Sequence, residues 1–231
     1  MKYKHVFFDL DRTLWDFEAN SEEVLVDMFD KFDITTLAHI DSQEFIDNYR
    51  EINHGLWAKY RVGEITKEFL STERFHATMR LFEVDDYEMA KQMGEYYVKE
   101  SPYKKQLFPG TIELLEKLHK KYDLHIITNG FSEVQYIKLE QSDLSKYFKE
   151  IIVSEETDWK KPRPEIFHYA MQKANATVEE SIMIGDDLKA DIIGASEVGM
   201  DQIWVNFDNT FAGFKPTYTV DSLIQIEGIL K

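Results

Sequence analysis

The stretch Tyr3-Lys4-His5-Val6-Phe7-Phe8-Asp9-Leu10-Asp11-Arg12-Thr13-Leu14 decides how this chain reads. A run of apolar, β-forming residues stops abruptly at acids. That pattern predicts a buried strand whose carboxyl end carries a site. In an α/β sheet, ligands bind at that end. In an extended strand, Asp9 and Asp11 face the same side. Two carboxylates that close repel each other unless a cation or a shared proton intervenes. Taken alone, the stretch also fits an acidic turn after an edge strand, with Asp11 capping the next segment.

Working outward, the residues from 17 to 99 show helical spacing and no convincing strand. Val24, Leu25, Met28, Phe29 and Phe32 recur at helical intervals, as do Phe45, Tyr49, Ile52, Leu56 and Tyr60. Phe69, Phe75, Met79 and Phe82 form a further set, and Met89, Met93, Tyr96 and Tyr97 another. The region reads as a helical bundle. Pro102 and Pro109 punctuate the return to a different pattern. From Gly110 onward, strands are expected at 125–128, 151–153, 182–185 and 202–205, with a weak one near Tyr218. Between them fall helices marked by Ile112, Leu115 and Leu118, by Val134, Ile137 and Leu144, and over 165–173, 189–198 and 221–230. Strands separated by helices imply right-handed crossovers and a parallel sheet. The first strand then belongs to that sheet, and the helical region interrupts it. The expected division is a core of residues 1–16 and 100–231 and an inserted domain of residues 17–99. An insertion emerging beside the acids is well placed to cover them; the plainer reading is that it only adds stability.

Three more groups follow, or lie between, expected strands: Thr128-Asn129-Gly130, Lys160-Lys161-Pro162, and Gly185-Asp186-Asp187 with Asp191 beyond. Each alone has an ordinary explanation: a helix N-cap, a charged loop before a Pro-initiated helix, a turn after a strand. In this order, the set resembles the four motifs of the haloacid dehalogenase (HAD) superfamily of phosphohydrolases. The match runs from D-x-D-x-T at Asp9 to G-D-D-x-x-x-D ending at Asp191. The resemblance implies a Rossmann-like, three-layer α/β fold with a parallel sheet and an inserted helical cap.

It also implies roles. Asp9 is the expected nucleophile, forming an aspartyl-phosphate. Asp11 is the expected acid and then base. Thr128, with the amides of Asn129 and Gly130, would bind the transferring phosphoryl oxygens. Lys161, rather than Lys160, would neutralise charge on Asp9 and the phosphate. Mg²⁺ is the expected cofactor, held by Asp9, the Asp11 carbonyl and Asp186, with Asp187 helping directly or through water. Asp191 is expected to orient Lys161 or a metal-bound water. Asp11 favours phosphate over carbon–halogen chemistry, because dehalogenases of this fold lack that second acid. Phosphomutases keep both, and many carry Gly where this chain has Arg12.

The segment Asn53-His54-Gly55-Leu56-Trp57, followed by Tyr60-Arg61, Gly63-Glu64-Ile65-Thr66 and Arg74-Phe75, looks like the cap of bacterial HAD 5′-nucleotidases. Trp57, Tyr60 and Arg61 are therefore candidate substrate contacts, and Trp57, Tyr60 or Phe75 would stack on a base. Aromatics at helical spacing also fit a cap core. A sugar-phosphate phosphatase or phosphomutase of the same fold is the enzymatic alternative. A non-enzymatic phosphate-binding regulator is the alternative of another class.

Composition narrows the partners. The chain has 231 residues, 43 acids against 27 Lys plus Arg, and a net charge of −16. That argues against nucleic-acid polymers and anionic membranes, which need a basic surface. A small phosphorylated metabolite stays compatible, since a metal and a Lys reverse the local field. Cysteine is absent, which excludes disulfides, cysteine-ligated zinc and thiol catalysis. The opening apolar run is too short for a signal peptide, and no stretch approaches a membrane span, so a cytoplasmic protein is expected.

Overall fold

The computed structural model describes residues 2–211 and 213–230. The chain divides into two compact units. One comprises the chain up to Phe17 together with the chain from Lys105 onward; the other is Glu18–Lys104. The helical unit thus ends five residues later than the spacing suggests. A 3-10 turn over Ser101–Tyr103 continues directly from its last helix.

The helical unit is built from α1 (Phe17–Lys31), α2 (Ile34–Ala38), α3 (Ser42–Arg61), α4 (Lys67–Arg80) and α5 (Tyr87–Glu100). Side-chain caps start the three longest of the later helices. Asp41, Thr66 and Asp86 accept from the amides of Glu44 (2.9 Å), Phe69 (3.2 Å) and Met89 (2.9 Å), each satisfying an N–H that has no partner within the helix. Many of the periodic apolar residues meet in one core that includes Val24, Met28, Phe45, Tyr49, Phe75, Met79, Met93 and Tyr97, whereas Phe69 is exposed.

The other unit is a sheet of β1 (His5–Phe8), β2 (Asp123–Thr128), β3 (Phe148–Val153), β4 (Ser181–Gly185), β5 (Asp201–Val205) and β6 (Tyr218–Val220). All neighbours are parallel, in the order β3-β2-β1-β4-β5-β6. The chain winds to one side of β1 and then to the other, so β1 borders the switch point where such sheets bind ligands. Alternation along β1 feeds two cores. Val6 and Phe8 pack with Leu114 and Leu118 of α6 (Thr111–Leu118). Phe7 packs on the opposite face with Ile166 and Phe167 of α8 (Pro164–Ala174). Helices on both faces make three layers. α7 (Ser132–Gln141) follows β2 and stops before Leu144, which lies beyond it.

Two expected helices differ from their apolar spacing, one in winding and one in length. The segment expected at 189–198 is a π-helical turn, Leu188–Ile193, followed by α9 (Gly194–Glu197). Gly194 there lies against Pro162 and Phe167, where an added Cβ would approach within 2.8–2.9 Å. Near the end of the chain, a 3-10 turn at Leu223–Gln225 precedes α10 (Ile226–Ile229). No helix among the described residues is long and apolar enough to cross a membrane.

Candidate active site

β1 stays paired up to the first acid: the Asp9 amide donates to the Ile184 carbonyl of β4 at 2.9 Å. Beyond it the chain folds back. Arg12 adopts a left-handed backbone (φ 66°), and the amides of Leu14 and Trp15 both return to the Leu10 carbonyl at 3.0 Å. This turn buries Thr13 completely. Its hydroxyl lies 3.4 Å from Asp9 Oδ2 and 3.2 Å from Asp186 Oδ1, and accepts from the Asp186 amide at 3.1 Å. Thr13 therefore ties the end of β1 to the end of β4.

Lys161 enters the same place from the loop before α8. It is 2% exposed, and its ammonium is 2.6 Å from Asp9 Oδ1 and 2.6 Å from Asp191 Oδ1. Asn129 holds the Lys161 backbone from both sides, accepting from its N–H and donating to its carbonyl, each at 2.9 Å. Burial alone would lower the Lys161 pKa, but Asp191 and Asp9 outweigh it and raise it. Burial lifts the Asp191 carboxyl to about 7, against the opposing pull of Lys161. Burial likewise raises Asp9, opposed by Lys161. Asp186 is raised well above the ordinary range by its desolvation and by the charges of Asp9, Asp191 and Asp187, against the opposing pull of Arg12.

Carboxylate oxygens of Asp9, Asp186 and Asp191 lie within 4.8 Å of one another. Three acids against one lysine leave an excess of negative charge in a water-poor place, and a hard divalent cation suits such oxygen donors. Both oxygens of Asp191 are already engaged, one by Lys161 and one by the Asp187 amide at 3.1 Å. Asp9 and Asp186 are thus the better placed acidic donors. Asp187 turns one oxygen onto the amides of Lys189 (3.0 Å) and Ala190 (2.8 Å), capping the π-helical turn.

Thr128 ends β2 and is buried. Its hydroxyl oxygen accepts from the Gly130 amide (3.1 Å) and from Gln135 Nε2 (2.6 Å). A hydroxyl has two acceptor positions and one proton, so this one is left to donate. Asp11 stands apart from the three-acid group. Its two oxygens take Gln135 Nε2 (2.7 Å) and Lys138 Nζ (2.5 Å). Sequence reasoning missed both partners. The available signal was two polar residues, one turn apart, on the inward side of the helix that follows Thr128.

The remaining candidates belong to the helical unit. Trp57 and Tyr60 meet edge-on at 5.5 Å on α3; Tyr60 is buried, while Trp57 and Arg61 are half-buried. Phe75 takes the second of its two expected places, the helical core. It is wholly buried, stacked on Tyr49 at 4.9 Å with Tyr97 at 5.8 Å, so it fills the helical core rather than offering a face to a base.

Known proteins resemble this chain over nearly its whole length. A family model described as haloacid dehalogenase-like hydrolase matches residues 3–199. The pyrimidine 5′-nucleotidase YjjG of Escherichia coli (strain K12) is 32% identical over 233 residues, covering 100% of this chain and 99% of that protein. The pyrimidine 5′-nucleotidase PynA of Streptococcus pneumoniae is 32% identical over 227 residues, covering 96% and 92%. A crystal structure of the HAD-hydrolase YfnB of Bacillus subtilis, bound to magnesium, superposes with a TM-score of 0.90 at 31% identity, covering 100% of this chain and 99% of that one. On the span of these matches, the chain belongs to the haloacid dehalogenase-like hydrolase family.

Proposed function

We propose that this protein hydrolyses phosphate monoesters through a phosphoryl group carried on Asp9, and that its substrates are nucleoside monophosphates. The observation that carries the chemistry is the Asp9 carboxylate held against Lys161 at the end of the central strand, beside a Thr128 hydroxyl left to donate.

In the first step an Asp9 oxygen attacks phosphorus and the bond to the leaving oxygen breaks. That oxygen takes its proton from Asp11. In the second, water attacks the same phosphorus, gives its proton to Asp11, and the phosphorus–Asp9 bond breaks to release phosphate. Splitting the reaction spares it a direct attack of water on an anionic ester. Thr128 donates to a phosphoryl oxygen, and Lys161 offsets charge on Asp9 and the phosphate. Asp191 holds Lys161 in place. The amides of Asn129 and Gly130 line the same loop, although the Gly130 amide already serves Thr128. A divalent ion, Mg²⁺ by its preference for carboxylate and phosphate oxygens, would be held by Asp9, Asp186 and the Asp11 carbonyl, and would supply the missing positive charge.

The nucleotide reading rests on two of the relatives, which are named as pyrimidine 5′-nucleotidases, and on Trp57, Tyr60 and Arg61 as the contacts. Their aromatic faces and charge suit a nucleoside. The test is phosphate release from a panel of nucleoside monophosphates, sugar phosphates and small phosphate esters, ranked by kcat/KM, with Mg²⁺ and with excess chelator. Nucleoside monophosphates should rank first and chelator should stop turnover. Preference for a sugar phosphate would overturn the substrate reading, and full activity in chelator the metal-assisted chemistry.

A further inference from the structure

The mechanism above leaves the buried cation of Lys138 unused. Lys138 is 4% exposed, yet it belongs to none of the motifs. Its ammonium is 2.5 Å from Asp11 Oδ1 and lies 3.9 Å from the centre of the Trp15 ring. Gln135, wholly buried one turn earlier on α7, donates to Asp11 Oδ2 and also to Thr128. Both carboxylate oxygens of one acid are therefore held by a single helix, and Trp15, four residues after that acid, backs the lysine. Space for this is built in. An added Cβ at Gly130 would sit 2.0 Å from Gln135 Nε2, so a side chain there would displace the amide.

We infer that Lys138 and Gln135 are positioning residues that hold the Asp11 carboxyl at the leaving-group oxygen; this rests on the reading of Asp11 as acid and base. Asp11 needs such a hold. It adds to the negative charge that Asp9 already feels, and like charge would otherwise turn its short side chain away from the site. Two fixed donors on separate oxygens restrict that rotation. Misplacing a reacting group by about 1 Å costs on the order of 10²-fold in rate.

Leaving-group dependence tests this. An alkyl oxygen leaves poorly without a proton, whereas p-nitrophenolate leaves without one. kcat/KM covers only the steps through leaving-group departure, so later water attack does not enter the comparison. The readout is the ratio of kcat/KM for a nucleoside 5′-monophosphate to that for p-nitrophenyl phosphate. Lys138→Met should lower this ratio by about tenfold to 10²-fold, within the range general acid catalysis supplies, and Lys138→Arg should restore most of it. Gln135→Met, which also weakens Thr128, should reduce both rates and still lower the ratio. It decides the matter if Lys138→Met does not fold. Asp11→Asn is the control and should lower the ratio at least as far. A fall in Asp11→Asn with an unchanged ratio in both Lys138→Met and Gln135→Met would overturn the positioning role alone. An unchanged ratio in Asp11→Asn would overturn the acid assignment, and this inference with it.

Discussion

Replacing Asp9 by Asn should destroy activity and leave the fold almost untouched. The two halves of that statement come from the same atoms. Asn keeps an oxygen that accepts from Lys161 but cannot form the acyl-phosphate, so turnover should fall at least about 10⁴-fold, as for other essential nucleophiles. For stability, the loss is one attraction across 2.6 Å to Lys161, worth about 6 kcal/mol at an effective dielectric of about 20. The gain is relief of two repulsions, with Asp186 and Asp191, whose oxygens lie within 4.8 Å. On the same scale each is worth about 3.5 kcal/mol. Relief of these repulsions and of the burial cost that raises the Asp9 carboxyl offsets the loss, so Tm should fall by no more than about 2–4 °C for a chain of this size. The assays are phosphate release and thermal unfolding, the second in chelator so that metal binding does not enter. Activity within tenfold of the parent would falsify the nucleophile assignment. Lost activity accompanied by a Tm drop beyond about 10 °C would instead refute the charge accounting, and would mean that Asp9 holds the fold.

Lys161→Met should behave oppositely in stability. It leaves Asp9 and Asp191 buried without their shared cation, a loss of about 3–5 kcal/mol; adding Asp191→Asn should recover part of it in denaturant unfolding, and no recovery would refute the pairing. At Arg12, whose φ of 66° lies in the left-handed region, Val should be less stable than Gly by about 1–2 kcal/mol, and equal melting would count against the turn. The third concerns pH. Burial lowers His125 to about 4 from its ordinary 6.5. The folded state thus takes up that proton only well below the unfolded chain, and stability falls as pH drops from 6.5 towards 4. At pH 5 the deficit from this residue is about 2 kcal/mol. Between pH 7.5 and 5, urea unfolding of His125→Leu should lose about that much less than the parent; equal losses would refute the assignment.

The strands were legible because each is a short apolar run ended by a polar stop. The run before Asp9 buries every residue of β1, as a strand covered on both faces requires. The helical unit was legible for a different reason: periodicity marks a buried stripe whatever its partner. Periodicity does not encode how a helix is wound. Residues 189–198 carry helical spacing and are helical as far as Glu197, but the run that Asp187 caps opens as a π-helical turn before α9. At Phe75 periodicity marked a helical residue and left core and site both open. The spacing that marks an aromatic as helical does not say which neighbour it meets, and Tyr49 and Tyr97 meet it first.

The site shows the same division. Acids that end a strand announce themselves because nothing in a core favours them. Lys161 is announced by the proline after it. Lys138 has no such marker: in the sequence it is one lysine among many, two residues before the acidic Glu140 on a helix with polar residues all around. Only the fold shows that its face of α7 is the buried one. A buried lysine needs a counter-charge, and the nearest is a motif acid 127 positions away. The Gly130 position points the same way. Read as sequence, it offers a backbone amide expected to bind phosphoryl oxygens. In the structure it is the gap that lets Gln135 reach Asp11 and Thr128 together. What the sequence concealed was therefore the support of the acids rather than the acids themselves, since support depends on which buried face a polar side chain shares with its distant partner.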